Sequence, residues 1–160
     1  MEKEKIIEVV NKSIADLFNR IKDYVDGFYS EANIHFDLYY LLNNNCKRFW
    51  DEYAVEAESE DWADIIIFDP DEKKQERKVA IEIKLDCYHH KAIEKDFQKL
   101  ALLKEKFRDI MPLFLYVKIE YPNFDSIMSK IKDCKKRYDF VRVIILDIDQ
   151  KKVIEVDKQY

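Results

Sequence analysis

Two short segments, residues 63 to 69 and 78 to 85, constrain the fold more than any other part of the sequence. The first reads Ala-Asp-Ile-Ile-Ile-Phe-Asp and the second reads Lys-Val-Ala-Ile-Glu-Ile-Lys-Leu. Both contain many apolar and β-branched residues, and the second alternates between apolar and polar positions as half-buried strands do. The polar stretch between them, residues 70 to 77, suits a hairpin loop. The two segments are therefore predicted to form antiparallel core strands.

The charged residues of this hairpin are predicted to share one face. Side chains alternate faces along a strand, so one face is wholly apolar and carries Ile65, Ile67, Val79, Ile81, Ile83 and Leu85. Asp64, Glu82 and Lys84 have the opposite parity. A symmetric pairing about position 73 places Asp64 directly across from Glu82. Two carboxylates and one amine would then meet on strands that are otherwise fit for burial.

A cluster of this kind needs a compensating charge, because burial of unpaired carboxylates is costly and neighbouring carboxylates repel each other. Mg²⁺ or Mn²⁺ would satisfy it, since these ions accept carboxylate, carbonyl and water oxygens. We expect Asp64 and Glu82 to bind the metal, with the carbonyl of Ile83 as a further ligand. Protonated Lys84 cannot bind a metal, but it could orient or deprotonate a water, or stabilise phosphoryl charge. A plain salt-bridged patch is the alternative.

Helical periodicity precedes the hairpin. Apolar residues recur at helical spacing over residues 3 to 25, and Gly27 is placed to end that helix. Ser30 can cap a second helix with Glu31 in its first turn, and this helix is expected to fray at Asn43, Asn44 and Asn45.

The remaining elements alternate between strand and helix. Strands are predicted at 52 to 58, 113 to 119, 140 to 148 and 153 to 156, and helices at 91 to 108 and 124 to 137. The resulting order, α-α-β-β-β-α-β-α-β-β, predicts an α/β protein with a mixed sheet and helices on both faces. No linker or repeat interrupts residues 1 to 160, so we expect one domain that ends in a short hairpin.

Asp64 followed by Glu82-Ile83-Lys84 across a hairpin resembles the PD-(D/E)xK, or restriction-endonuclease-like, superfamily. The resemblance covers roughly residues 28 to 148, although Ala63 stands where many members have proline. It implies a restriction-endonuclease-like fold and metal-dependent hydrolysis of DNA phosphodiester bonds, in which water attacks phosphorus with Mg²⁺ or Mn²⁺ as cofactor.

Two further parts of the chain are similar to this superfamily. Glu31 resembles the acidic residue that many members carry before the sheet, where it reaches a second metal; it could also be only a helix N-terminal acid. The segment from Asp96 to Leu100 resembles a D-x-x-K-L pattern of some members, in which the lysine or a neighbouring glutamine faces the site. This similarity predicts DNA contacts by Lys99, Gln98 and Asp96, together with Lys91 of the same helix, whereas a plain surface pair of Asp96 and Lys99 is the alternative.

Composition excludes several other functions. Gly27 is the only glycine, which excludes glycine-built phosphate loops. The odd number of cysteines, without metal-ligand spacing, predicts reduced thiols in a cytoplasmic protein. No signal peptide or membrane-spanning run is expected. His35 is expected on a helix surface, with a position facing the site one turn after Glu31 as the alternative, and His89-His90 is expected in a loop.

The net charge of −5 weighs mildly against a nucleic-acid partner. The alternative function is therefore a catalytically silent PD-(D/E)xK-fold protein that acts as an interaction or assembly module. In either case we expect a homodimer or a complex with a partner protein.

Overall fold

The computed structural model describes residues 2 to 23, 30 to 49, 54 to 57, 63 to 68, 77 to 86, 89 to 119 and 124 to 156. Within these ranges the elements follow the predicted order. They are α1 (Glu2–Ile21), α2 (Glu31–Phe49), β1 (Ala54–Ala57), β2 (Ile65–Phe68), β3 (Arg77–Leu85), α3 (His90–Lys106), β4 (Met111–Lys118), α4 (Phe124–Arg137), β5 (Arg142–Asp147) and β6 (Lys152–Glu155).

The described strands form one mixed sheet in the order β1-β2-β3-β4-β5-β6. Strands β1, β2 and β3 pair antiparallel, β3, β4 and β5 pair parallel, and β6 returns antiparallel to β5. Ile65 lies opposite Ile81 and Ile67 opposite Val79, so the hairpin is centred on position 73 as the alternation predicted. The mixed sheet and its parallel pairs are confirmed.

Helices cover both faces of the sheet. Residues of α1 and α2 pack on one face against the apolar side of the hairpin, in a core that includes Leu17, Leu38, Ile65, Ile81 and Leu115. Residues of α3 and α4 pack on the other, in a second core that includes Phe97, Ile131, Phe114, Tyr116 and Val143. The α/β class and its layers are confirmed, whereas a restriction-endonuclease-like fold remains a prediction.

The two N-terminal helices differ from their predicted ends. Helix α1 ends at Ile21, before the predicted residue 25, and Gly27 lies outside the described residues. The prediction that α2 frays at Asn43 to Asn45 is wrong, since α2 continues to Phe49. Asn45 is buried and its Nδ2 donates to Ser13 Oγ at 2.8 Å. Asparagine has a low helix propensity, so this hydrogen bond to α1 helps to keep Asn45 within the helix.

The start of α3 corrects another prediction. His89-His90 was expected in a loop; His89 is extended and precedes α3 without a side-chain capping bond, but His90 is the first residue of the helix. His90 Nε2 lies 3.0 Å from Ser126 Oγ of α4, which links the two helices. Strand β3 ends at Leu85 as predicted, the other strand ends differ from the predicted ones by one or two residues, and Asp64 stands just ahead of β2.

Two lysines hold the turns that lead from helix to strand on the α3/α4 face. Lys104 Nζ donates to the carbonyl of Ile110 at 2.9 Å, and Lys135 Nζ donates to the carbonyl of Val141 at 2.6 Å. Each lysine thus satisfies a loop carbonyl in front of a parallel strand. The described helices include none that is long and apolar enough to cross a membrane.

Candidate active site

Two carboxylates cover the open edge of β3. Strand β2 begins at Ile65, which lies opposite Ile81, so the end of β3 extends past β2. There the Ile83 N–H donates to Asp64 Oδ2 at 2.7 Å, and the Leu85 N–H donates to Glu31 Oε2 at 3.2 Å. These side chains take the place of a strand partner, which brings α2 and the start of β2 to one point on β3.

The carbonyl of Ile83 faces this same edge. In an antiparallel ladder the N–H and C=O groups of one residue point to the same side, because paired residues exchange both bonds. Since the Ile83 N–H reaches Asp64, its carbonyl lies on the side of β3 that Asp64 covers. The predicted ligand atom is therefore placed where a metal held by Asp64 could reach it.

Glu82 is a buried carboxylate with a strongly altered proton affinity. Its side chain is 1% exposed, and its Oε1 lies 2.6 Å from Lys99 Nζ. Burial, and then the charge of Asp64, raise the pKa of Glu82 to about 8, although Lys99 acts in the opposite direction. Extension of the Ile65–Ile81 register by one residue places Asp64 across from Glu82. The charge of Asp64 therefore disfavours the charged form of Glu82.

Lys84 lies between two other carboxylates. Its Nζ is 3.3 Å from Asp96 Oδ2 and 3.5 Å from Glu31 Oε1. Burial by itself would lower the pKa of Lys84, but Asp96, Glu31 and Asp64 outweigh it and raise this pKa. Burial raises the pKa of Asp96, and Lys84 opposes that effect. Lys84 is thus held as a cation at neutral pH.

The structure brings together six of the predicted site residues from four elements. Glu31 comes from α2, Asp64 from the start of β2, Glu82 and Lys84 from β3, and Asp96 and Lys99 from α3. Asp96 and Lys99 each reach a charged residue of β3, so they are more than a helix-surface pair. Glu31 likewise does more than stabilise a helix N-terminus, because it contacts both Lys84 and the backbone of Leu85.

Lys91 and Gln98 do not join this cluster. Both are exposed, and the helical repeat places each of them on the side of α3 opposite Asp96. A direct role beside the carboxylates is therefore not supported by their position. Their predicted contact with DNA, farther from the cluster, remains a prediction.

An open cleft of about 880 Å³ adjoins the cluster. Its walls carry Glu31 and Asp64 together with Ala32, His35, Phe36, Tyr39 and Ile83. His35 is half-buried in this wall, which agrees with the alternative that it faces the site and not with an ordinary surface position. The spacing of four residues from Glu31 to His35 and again to Tyr39 was the available signal, because such residues share one helix face.

The donor atoms fit a divalent cation, although they do not form a complete cage. Within the described part of the chain, no group of three or more His, Cys, Asp or Glu residues is arranged to hold a metal ion. Mg²⁺, however, is commonly held by one or two carboxylates and several waters. Asp64, Glu82 and the Ile83 carbonyl provide oxygen ligands of that kind.

Two buried oxygens of the cluster also favour a cation. Glu82 Oε1 and Asp96 Oδ2 accept no well-directed hydrogen bond from the described residues. The ammonium groups of Lys99 and Lys84 approach them at ion-pair distance instead. Four carboxylates then face two ammonium groups, which leaves excess negative charge when all are ionised. That balance suits an added divalent ion.

Compared with known proteins, the chain matches no family model, no curated protein and no solved structure. Its function must therefore be argued from the chemistry of Asp64, Glu82 and Lys84 and their neighbours.

Proposed function

We propose that the protein is a divalent-metal-dependent nuclease that hydrolyses phosphodiester bonds in DNA. The observation that carries this proposal is that Asp64 accepts the N–H of Ile83, the residue next to Glu82, at the open end of the β2–β3 pair, with Glu82 buried. A purely structural site has little reason to keep a carboxylate at a pKa of about 8 beside another carboxylate. A cation-binding site has such a reason, because the bound ion removes the repulsion between the two carboxylates.

Asp64, Glu82 and the Ile83 carbonyl would hold Mg²⁺ or Mn²⁺, with Glu31 available for a second ion. When bound, the metal supplies an acidified water and stabilises charge on the phosphate. In the overall reaction, a bond forms between the water oxygen and phosphorus and one P–O ester bond breaks. The products are a phosphate monoester and a hydroxyl group, and the water protons pass to the leaving oxygen and to solvent.

Lys84 would stabilise negative charge on the phosphoryl oxygens. Its contacts with Asp96 and Glu31 raise its pKa, which makes it a poor general base and a good fixed cation. Asp96 would act as a positioning residue, since its buried carboxylate lies 3.3 Å from the ammonium group. The resemblance to PD-(D/E)xK nucleases supports the same assignment of metal ligands and lysine.

A catalytically silent interaction module is the second candidate, and one observation favours it. Lys99 already lies 2.6 Å from Glu82, so the charge cluster is partly neutralised by the chain's own lysines. The net charge of −5 also suits a protein partner better than DNA. In this case Asp64 and Glu82 would be remnants of a site without metal affinity.

A cleavage assay separates the two candidates. Supercoiled plasmid and a labelled single strand are incubated with the protein and Mg²⁺ or Mn²⁺, and the products are resolved on gels. Asp64→Ala and Glu82→Ala should abolish cleavage, whereas Lys84→Ala should slow it about 100-fold, as loss of one charge-stabilising donor does. Glu105→Ala, an exposed change on α3, should cleave normally. Absence of cleavage by the wild type with either metal would leave the interaction module as the better description.

A further inference from the structure

We propose that the cleft beside Asp64 receives an unpaired nucleobase of the substrate strand, stacked on aromatic side chains of α2. The residues concerned are His35, Phe36 and Tyr39, here called the aromatic wall. The inference rests on the proposed nuclease function and narrows its substrate to strands with an accessible base near the scissile phosphate.

The aromatic wall lies directly beside the proposed metal ligands. Glu31, His35 and Tyr39 follow one another at four-residue spacing along α2, so they form one stripe that begins at the carboxylate bound to β3. Phe36 lines the same cleft and remains 69% exposed. A large ring so open to solvent, within a cleft that also contains Asp64, can offer its flat face to a ligand.

The charges of the cleft determine which part of a nucleotide it can hold. Among the described residues that line the cleft, Glu31 and Asp64 are acidic, and both repel an anionic phosphate unless a cation lies between. We therefore expect a phosphate to approach at the Asp64 end, where the proposed ion would bind. The aromatic wall is left for the uncharged part of the nucleotide, and the N–H groups of a base can donate to the half-exposed Glu31 carboxylate.

The base must be unpaired to use this wall. In a duplex both faces of a base are covered by its neighbours, so a base reaches a protein ring only in single-stranded form or after leaving the stack. Stacking on an aromatic ring is tolerant of sequence, since every base has a π face. The expected substrate is thus single-stranded DNA, or a flap, end or loop, without strong base preference.

Binding measurements on strands with and without bases test this inference. The protein carries Lys84→Ala, which should slow cleavage about 100-fold while keeping every proposed metal ligand, and affinity is measured by fluorescence anisotropy in Mn²⁺. The probes are a labelled oligothymidylate of about 12 nucleotides, the same backbone with abasic residues, and a matched duplex. Phe36→Ala should weaken binding of the oligothymidylate roughly tenfold, as loss of one stacked base does, and should leave the abasic strand unchanged. Phe36→Trp should retain binding.

The control is Leu102→Ala, because Leu102 is 65% exposed on α3 and lies outside the lining of the cleft. It should bind all three probes like the parent protein. Equal weakening of the intact and abasic strands by Phe36→Ala would overturn the inference, as would tighter binding of the duplex than of the single strand. A change from dimer to monomer on Phe36→Ala without loss of strand affinity would also overturn it, since Phe36 would then belong to a self-association surface.

Failure of this inference can be distinguished from failure of the proposed function. Wild-type cleavage of DNA together with a Phe36→Ala protein that binds strands normally would remove the stacking site and leave the nuclease intact. A base-dependent effect of Phe36→Ala in a protein whose wild type cleaves nothing would support the stacking site and reject hydrolysis.

Discussion

The ammonium group of Lys99 lies 2.6 Å from the buried Oε1 of Glu82, so helix α3 supplies a cation to the centre of strand β3. A carboxylate with 1% exposure can be compensated in three ways: by a proton, by this lysine or by a metal ion. The pKa of about 8 indicates that the lysine alone does not suffice, because burial and the charge of Asp64 outweigh it. A proton, the Lys99 ammonium group and a metal ion therefore compete for the two carboxylate oxygens of Glu82.

Removal of Lys99 should expose this competition. Lys99→Met keeps much of the apolar stem and removes the charge, so the metal-free protein should lose about 1–2 kcal/mol of stability. This estimate is below the ~3–5 kcal/mol of a fully buried broken pair, because Lys99 is partly solvated and Glu82 can take up a proton. Saturating Mn²⁺ should narrow the difference from wild type, since the ion would replace the missing charge.

Urea denaturation of both proteins, with and without Mn²⁺, measures these differences. Lys95→Met serves as the control, because Lys95 is exposed on the same helix, and it should cost little in either condition. An identical loss for Lys99→Met with and without Mn²⁺ would mean that Lys99 contributes only packing.

The stability of the metal-free protein should depend on pH through Glu82. Its pKa is about 8 in the folded protein and 4.5 as an ordinary glutamate. Between these values the folded state binds more protons than the unfolded state, so the free energy of unfolding falls as pH rises and levels off above about 8. One pKa unit corresponds to about 1.4 kcal/mol, so the loss is of the order of a few kcal/mol.

Glu82→Gln should remove this dependence. The stability of wild type relative to Glu82→Gln should therefore decrease from acidic to mildly alkaline pH, as measured by denaturant titrations at matched ionic strength. A difference between the two proteins that stays constant over this range would contradict a raised pKa at Glu82.

Local pattern was sufficient to predict the strand pairing at the centre of the charge cluster. The alternation in residues 63 to 69 and 78 to 85, with a polar loop between them, predicted the register that the structure has around Ile65 and Ile81. Because the period of a strand is two, that register also determined which side chains share a face. The opposition of Asp64 and Glu82 follows from sequence alone.

The partners of the charged groups could not be predicted in the same way. The sequence placed Lys84 beside Asp64 and Glu82, but its closest ion pairs are with Asp96 and Glu31. Those contacts depend on how α2 and α3 dock on opposite faces of the sheet, and on β3 extending past β2. Such distances arise from tertiary packing, and no spacing in the sequence encodes them.

Tertiary packing also explains why α2 continues past Asn43, and this explanation can be tested. Asn45 Nδ2 donates to Ser13 Oγ at 2.8 Å, and both residues are buried between α1 and α2. Ser13→Ala leaves the buried amide without this acceptor, which should cost about 1–3 kcal/mol. The double change Ser13→Ala with Asn45→Leu replaces both polar groups and should recover much of that loss. Thermal melts of Ser13→Ala, Asn45→Leu and the double variant measure it, and a double variant that is less stable by the sum of the two single losses would argue against a coupled pair.

Asp64→Asn should have opposite effects with and without metal. Asp64 accepts the Ile83 N–H at 2.7 Å, and the amide oxygen of asparagine can keep that bond. The substitution also removes a charge that helps to raise the pKa of Glu82. The metal-free variant should therefore be as stable as wild type or slightly more stable.

In the presence of Mn²⁺ the order should reverse. An ion that binds only the folded protein adds roughly 2.7 kcal/mol at 100 times its dissociation constant, and loss of the Asp64 ligand should reduce or abolish that gain. Asp149→Asn, which alters an exposed carboxylate paired with Lys118 away from the cluster, should keep the gain of the wild type.

A salt-bridged patch without metal affinity makes a different prediction: Mn²⁺ stabilises none of these proteins, and Asp64→Asn is destabilising because positive charge at Lys84 loses a neighbouring carboxylate. Thermal melts of the three proteins with and without Mn²⁺ distinguish the two, and an unchanged Mn²⁺ gain in Asp64→Asn would remove Asp64 from the proposed ligands.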